Sequence, residues 1–469
     1  METTQTISVE KTANPLGYEK ISTLLVKFAV PSIIAMIVSA LYNIVDQIFI
    51  GQGVGMLGNA ATNVAFPLTT ICLAISLLVG IGSASLFSLS LGRKNEVMAS
   101  KCVGTAIFMT AILGILYAVI VEIFLPTLAN AFGATPDVFP YVTAYVRWTA
   151  IGFPFLIVTN ALSNLIRADG NPRYSMTCML VGAIANTILD PIFIFLFDMG
   201  VSGAAIATVI SQIISFVMAF AYLFKFKHVK LTKALFKLDF KMWGKVAVLG
   251  LSNAFNQLAI AVVQVTLNNV IRYYGALSIY GADIPLAACG VIMKVNSIFI
   301  SVFVGFSQGS QPIFGFNYGA EQYSRVKQTY ISVVKICSIV ALTGTALFQI
   351  FTRQIISIFG DGNELYFEFS IKFMRIFLSM LICVGLQIFS SNLFSAIGKP
   401  LIGVILSLSR QVALFLPLVV ILPTFMGLDG ILFAGPISDV ISFTVALAFV
   451  IREFNLQKKA EKIKLEETV

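Results

Sequence analysis

The sequence predicts an all-α integral membrane protein with twelve transmembrane helices in two pseudo-symmetric halves of six. Three observations carry that prediction. First, 58% of the 469 residues are hydrophobic and only 11% are charged, against roughly 25% charged residues in soluble domains. Second, the apolar residues fall in blocks of about twenty or more, the length that crosses roughly 30 Å of hydrocarbon. Backbone polar groups in lipid must be paired within their own segment, so blocks this long are helices rather than barrel strands. Third, a stretch near the end of the chain repeats one near its middle.

The predicted spans are 23–50, 61–88, 100–127, 139–165, 176–197, 202–224, 244–271, 285–313, 327–350, 366–395, 401–423 and 428–451. Residues 1–22 are polar, with no cleavable signal, so the first span is expected to direct insertion. Basic residues follow every even-numbered span: Arg93 and Lys94, then Arg167 and Arg173, a lysine-rich stretch at 225–245, Arg325 and Lys327, Lys399, and finally Arg452 with Lys458, Lys459, Lys462 and Lys464. The segments 51–60, 129–141, 198–203 and 423–430 on the other side contain no Lys or Arg; Arg272, Arg353 and Lys372 are the exceptions. The positive-inside rule then puts both termini and the loop after span six in the cytoplasm. The net charge of +9 is the excess expected against anionic lipid and calls for no nucleic acid.

The repeat is read directly. Residues 199–216 (MGVSGAAIATVISQIISF) and 426–443 (MGLDGILFAGPISDVISF) are identical at half of their positions without a gap. Upstream, Gly170-Asn171-Pro172 matches Gly398-Lys399-Pro400, which sets Asn164 on Asn392. Six spans per half is an even number, so the halves share one orientation and are related by an axis along the membrane normal. The expected organisation is a cytoplasmic tail 1–22, an N-lobe 23–224, a basic linker 225–243 with a short interfacial helix, a C-lobe 244–452 and a cytoplasmic tail 453–469. The six cysteines lie in or beside apolar spans without metal-ligand spacing and read as small core residues. His228 is the single histidine and builds neither a metal site nor a catalytic one.

Function in such a protein is read from polar groups inside the spans, where a central charge costs about 2.5–3.5 kcal/mol on the insertion scale. Asp46 follows Tyr42 and Asn43 on one helix face, and Asp190 follows Asn186 by four residues. Pro191 removes a backbone donor beside Asp190 and is expected to kink the helix. Asn160, Ser163 and Asn164 form a polar stripe, and Thr208 with Gln212 an i, i+4 pair. Two carboxylates in an apolar cavity resist carrying two charges together. They hold a proton, Na⁺ or an organic cation, with help from amide and hydroxyl oxygens, which is the minimum equipment for ion-coupled cation export. The plainer reading of each acid is a helix-end cap or an interhelical bond to Asn.

The C-terminal half lacks both acids. It offers Lys294, Arg410 and Asp439, with Asp439 at the repeat position of Gln212. An Arg410–Asp439 ion pair with a structural role is expected, while Lys294 either lines a cavity or reaches toward the aqueous end of its helix. The glycines at 80, 82, 305, 309 and 315 read as helix-packing positions.

DQIFIG at 46–51, ILDPI at 188–192, GFSQGSQP at 305–312 and NYG at 317–319 resemble the bacterial MATE (multidrug and toxic compound extrusion) exporters, in particular their MepA-like and DNA-damage-inducible branch. The resemblance spans about 22–453. It implies a V-shaped pair of six-helix lobes in the bacterial inner membrane, and a monomer exporting small organic cations of amphipathic character in exchange for H⁺ or Na⁺, with no organic cofactor and lipids as surroundings. By matching position it implies an N-lobe cation site of Asp46, Asn186, Asp190 and Thr208, with Asn160 and Asn164 nearby and Na⁺ on the two acids where Na⁺ is the coupling ion. Another branch of the family carries an acid in span seven; the segment 252–257 here, SNAFNQ, has none, which favours the N-lobe pair.

Two other functions compete. A flippase for a lipid-linked pyrophosphate precursor, from the same superfamily, calls for several basic residues lining the cavity, where the N-terminal spans present acids and amides. An integral-membrane enzyme calls for clustered His, Asp or Cys at metal or nucleophile spacing, and neither HExxH nor GxSxG occurs.

Overall fold

The computed structural model describes residues 14–227, 239–281, 283–358 and 364–468, and every described regular element is helical. His228, the expected interfacial helix of the linker and most of the 1–22 tail lie outside the described residues. Twelve spans follow one another: α1 (Ile21–Gly53), α2 (Met56–Gly92), α3 (Glu96–Ile123), α4 (Phe139–Ala168), α5 (Pro172–Pro191), α6 (Gly200–Ala221), α7 (Phe240–Ala276), α8 (Asp283–Gly319), α9 (Tyr323–Ile350), α10 (Glu364–Phe377 and Leu381–Ala396), α11 (Pro400–Leu408, continued to Met426) and α12 (Leu428–Thr468). Eleven are single helices apolar and long enough to cross a membrane; the twelfth, α10, is broken by 46°. The sequence reading had 366–395 as one unbroken span.

Local chemistry explains the boundaries. The side chains of Asn95, Asn171 and Asp239 accept from the backbone amides of Met98, Tyr174 and Met242, capping α3, α5 and α7. Gly170 and Gly398 adopt φ of 91° and 83° at the ends of α4 and α10, a conformation glycine takes without a side-chain clash. Gly200 and Gly427, the paired second residues of the sequence repeat, also share positive φ, 54° and 59°. Pro191 ends the α-helical part of α5, and the chain continues as a π turn over Ile192–Leu196. The expected kink therefore takes the form of a change in hydrogen-bond spacing. A second π turn, Ser409–Phe415, interrupts α11. The C-terminal tail expected from 453 is instead the last part of α12, which runs to Thr468; Glu453 accepts from Gln457 one turn on.

The halves meet through α1 with α8 and α2 with α7 and α8. A Cβ added to Gly82 would lie 2.0 Å from the Val246 carbonyl oxygen, and one on Gly250 1.8 Å from that of Leu78. A Cβ on Gly305 or Gly309 would lie 2.5 Å from the Ile33 Cα or 2.6 Å from the Ala29 Cα. Glycine in the membrane here lets backbones touch, as the sequence suggested. All these contacts lie on the side that carries both termini. There a single hydrophobic core spans both halves, from Leu24 and Phe87 to Phe303 and Phe394. On the opposite side the cores are separate, one around Leu68, Tyr117 and Phe153 and another around Ile292, Phe373 and Ile431. The molecule is a V, joined at the terminal side and parted at the other.

Two basic residues assigned to loops are structural. Arg167 is 3% exposed and donates to Asn164 Oδ1 (2.7 Å), Ser175 Oγ (3.3 Å) and, across the halves, Gln308 Oε1 (2.8 Å). Arg325 donates to Asn317 Oδ1 and to the carbonyls of Leu16 and Glu19, tying the N-terminal segment beneath the C-terminal half. The six cysteines are free and buried.

Candidate functional site

The N-terminal half encloses a cavity of about 200 Å³ between α1, α2, α4, α5 and α6. Tyr42, Asn43 and Asp46 reach it from α1, Asn160 from α4, Asn186 from α5, and Thr208 and Gln212 from α6. Asp190, in the last turn of α5, is fully buried behind this lining. Asn186 and Asp190 lie four residues apart in the α-helical part of α5, on one face.

The two acids meet. The carboxyl groups of Asp46 and Asp190 are close enough to interact directly, with Tyr42 and Tyr145 beside them. Asn186 Nδ2 donates to Asp190 Oδ1 at 3.0 Å and to Thr208 Oγ1 at 3.3 Å. Asp46 Oδ1, Asp190 Oδ2, Asn186 Oδ1 and Gln212 Oε1 are buried with no partner. Buried polar atoms are normally satisfied. Here four acceptor oxygens and the Thr159 hydroxyl go without a partner at or beside one cavity, and a proton or a cation that takes oxygen ligands would satisfy the acceptors. The donor set therefore suits H⁺ or Na⁺, with Asp46, Asp190, Asn186 and Thr208 as the residues that would hold the ion. Among the described residues no cluster of three His, Cys, Asp or Glu exists to hold a transition metal.

The remaining candidates divide. Asn43 lines the cavity, but its Nδ2 is turned back to the Ser39 carbonyl at 2.6 Å. Asn160 lines it as well. Asn164 does not: its amide donates to the Asn160 carbonyl at 2.8 Å and its oxygen accepts from Arg167, so it belongs to the network at the joined end of the V. Arg410 and Asp439 pair as expected, Nε to Oδ1 at 2.7 Å, far along the chain from the cavity lining. Lys294 is exposed on α8 and lies outside this cavity. The sequence reading missed Tyr145, Thr149 and Thr159, which also line the site. Their signal was available: Tyr145, Thr149, Phe153, Leu156 and Asn160 follow one another by three or four residues down one face of α4.

Comparison with known proteins decides the family. The MatE family model matches residues 31–192 and again 253–421. The chain belongs to the MATE family. The FAD transporter of Shewanella oneidensis is 26% identical over 435 residues, covering 90% of this chain and 92% of that one. The multidrug export protein MepA of Staphylococcus haemolyticus is 24% identical over 432 residues, with the same coverage. A multidrug resistance MATE family transporter of the MOP superfamily, solved in an outward-facing conformation, superposes with a TM-score of 0.87 at 21% identity, over 94% of this chain and 99% of its own. A MATE in complex with MaD3S superposes with a TM-score of 0.88 at 22% identity, over 95% and 98%. The chain is thus a multi-pass membrane transporter of the MATE fold, and the paired matches of the family model fall on its two halves.

Proposed function

We propose that this chain is a secondary active exporter of amphipathic organic cations, driven by H⁺ or Na⁺ entering through the Asp46–Asp190 site. The observation that carries the reading is the set of four unpartnered oxygens around two adjacent carboxyls. A site with this surplus of acceptors around two carboxyls is suited to hold one positive species in exchange for another, which is the chemistry antiport needs. The positive-inside rule sets the termini, and with them the joined end of the V, on the cytoplasmic face. The cleft then opens outward, where the coupling ion enters and substrate leaves. An impermeant maleimide applied to intact cells tests this orientation: a cysteine introduced at the exposed Gln52 should be labelled from outside, and protection of it would reverse the assignment.

In the mechanism the acids alternate. With the ion bound, Asp46, Asp190 and Asn186 are satisfied and the α1–α5–α6 contacts are stable. With the ion released toward the cytoplasm, the uncompensated carboxylates attract a cationic substrate or the next ion. Binding energy differs between the two states, which is what shifts a conformational equilibrium. Relatives of comparable identity are named for drugs and for FAD, so the substrate class rests on the residues of this cleft.

The test is ethidium efflux from proteoliposomes under separately imposed pH and Na⁺ gradients. Efflux is expected under one of them for the wild type, and none for Asp46→Asn or Asp190→Asn. Efflux by both variants at the wild-type rate would make the acids structural and overturn the reading.

A further inference from the structure

We propose that the wall of the cleft facing the cation site is an anion-binding subsite, built from Lys294 on α8 and the amide stripe of α7, for the carboxylate or phosphate of a transported substrate. This takes the cleft as the transport route, as above, and adds to its chemistry.

The phase of each helix is fixed by its contacts with the other half. Gly305 of α8 lies against the Ile33 backbone, so the face of α8 that bears Gly305 is the one turned to the N-terminal half. At about 100° per residue, Ser301, Ile298 and Lys294 lie within roughly 40° of that direction. The same reasoning starts on α7 from Gly250, which lies against Leu78. Gln257, Gln264, Asn268 and Arg272 then fall within about 40° of the cleft-facing direction. Gln264 Nε2 donates to Asn268 Oδ1 at 3.1 Å, which leaves the Asn268 amide hydrogens free toward the cleft.

Depth follows from the same contacts. Lys294 stands about 16 Å above Gly305, and Asp46 about 19 Å above Ile33, at a rise of about 1.5 Å per residue. The two are level across the cleft. Lys294 is also about 16 Å below the start of α8 at Asp283. Neither Lys294 nor Arg272 has a carboxylate within ion-pair distance among the described residues. Lys294 is exposed on this face, and an anion entering the cleft would pair it. The two walls therefore differ in charge: two carboxyls on one, an ammonium among neutral amides on the other. Arg272, at the outer end of the stripe, stands where an anion would pass.

The experiment is equilibrium binding to the purified full chain by fluorescence anisotropy, without an ion gradient, with two matched pairs of dyes. Rhodamine 19 carries a free carboxylate and rhodamine 6G is its ethyl ester; flavin mononucleotide carries a phosphate that riboflavin lacks. The wild type should favour an acid over its match that lacks the anionic group. Lys294→Gln should weaken that acid by about tenfold or more, as expected for a lost charge-assisted contact, and leave the ester or riboflavin within about twofold. Lys294→Arg should restore acid binding. Loss confined to rhodamine 19 assigns a carboxylate, and loss confined to the mononucleotide a phosphate. Equal loss for both members of a pair, or no wild-type preference in either pair, overturns the proposal. Because no gradient is applied, a failure of coupled efflux in the previous assay is distinguishable from a failure here.

Discussion

Removing Arg410 while leaving Asp439 isolates the role of the C-terminal ion pair. Arg410 Nε lies 2.7 Å from Asp439 Oδ1, with the two side chains 17% and 5% exposed. The pair is therefore largely desolvated, and truncating one partner strands a buried charge. Such single truncations cost about 3–5 kcal/mol. Unfolding entropy scales as about 2.1 cal/mol/K per residue, so a chain of 469 residues loses about 1 °C for each kcal/mol. Arg410→Ala should lower the apparent Tm in detergent by about 3–5 °C. The double variant Arg410→Met, Asp439→Leu removes both charges and keeps the volume, and should recover most of that loss. Affinity for ethidium, measured in parallel by anisotropy, should be unchanged in both. An Arg410→Ala protein with wild-type Tm and a selective loss of dye binding would refute the structural assignment and make the pair part of the substrate path.

Three further outcomes follow from particular contacts. Asp190→Asn should fold and insert, since one oxygen still accepts from Asn186, yet show no gradient-driven efflux; full efflux at normal expression would refute the coupling role. Gly82→Val places a Cβ against the Val246 carbonyl, so α2 must leave α7, and both Tm and efflux should fall together. Normal efflux from that variant would show that the seam is not needed. Gln308→Leu removes the one acceptor Arg167 finds in the other half. A hydrogen bond to a charged group contributes about 1.5–3 kcal/mol, so amide exchange in residues 305–319 should accelerate by at least tenfold. Unchanged exchange would show that the bond does not hold the joined end closed.

The fold was legible because lipid imposes a coarse code. Apolar length marks each span, and the repeated Gly170-Asn171-Pro172 and Gly398-Lys399-Pro400 mark the halves before any contact is known. The two acids were legible for the same reason: a carboxylate inside an apolar helix is conspicuous. That Asp46 and Asp190 touch was not, because 144 positions separate them (190 − 46) and only helix packing brings them together. Asn164 misled because an amide in a polar stripe looks alike whether it faces a cavity or an arginine. Arg167 and Arg325 misled in the opposite direction: counting loop charges finds them but does not reveal that their guanidinium groups are bound. The break in α10 and the π turns leave no apolar gap, so hydropathy passes over them.

The divergence of the repeat explains why the two halves differ in chemistry. The turn register, 172 on 400, is an offset of 228, which sets Gly182 on Arg410; the α6–α12 register, 199 on 426, sets Gln212 on Asp439. Gly182 and Gln212 both line the N-terminal cavity. In the C-terminal half their counterparts are the two partners of the Arg410–Asp439 ion pair. With a glycine and a neutral amide at these positions, the N-terminal half keeps its carboxyls, Asp46 and Asp190, clear of any basic partner among the ion pairs of the described residues. With an arginine and an aspartate there, the C-terminal half neutralises its own buried acid. The difference in charge between the two halves of a duplicated scaffold thus runs through these two substitutions.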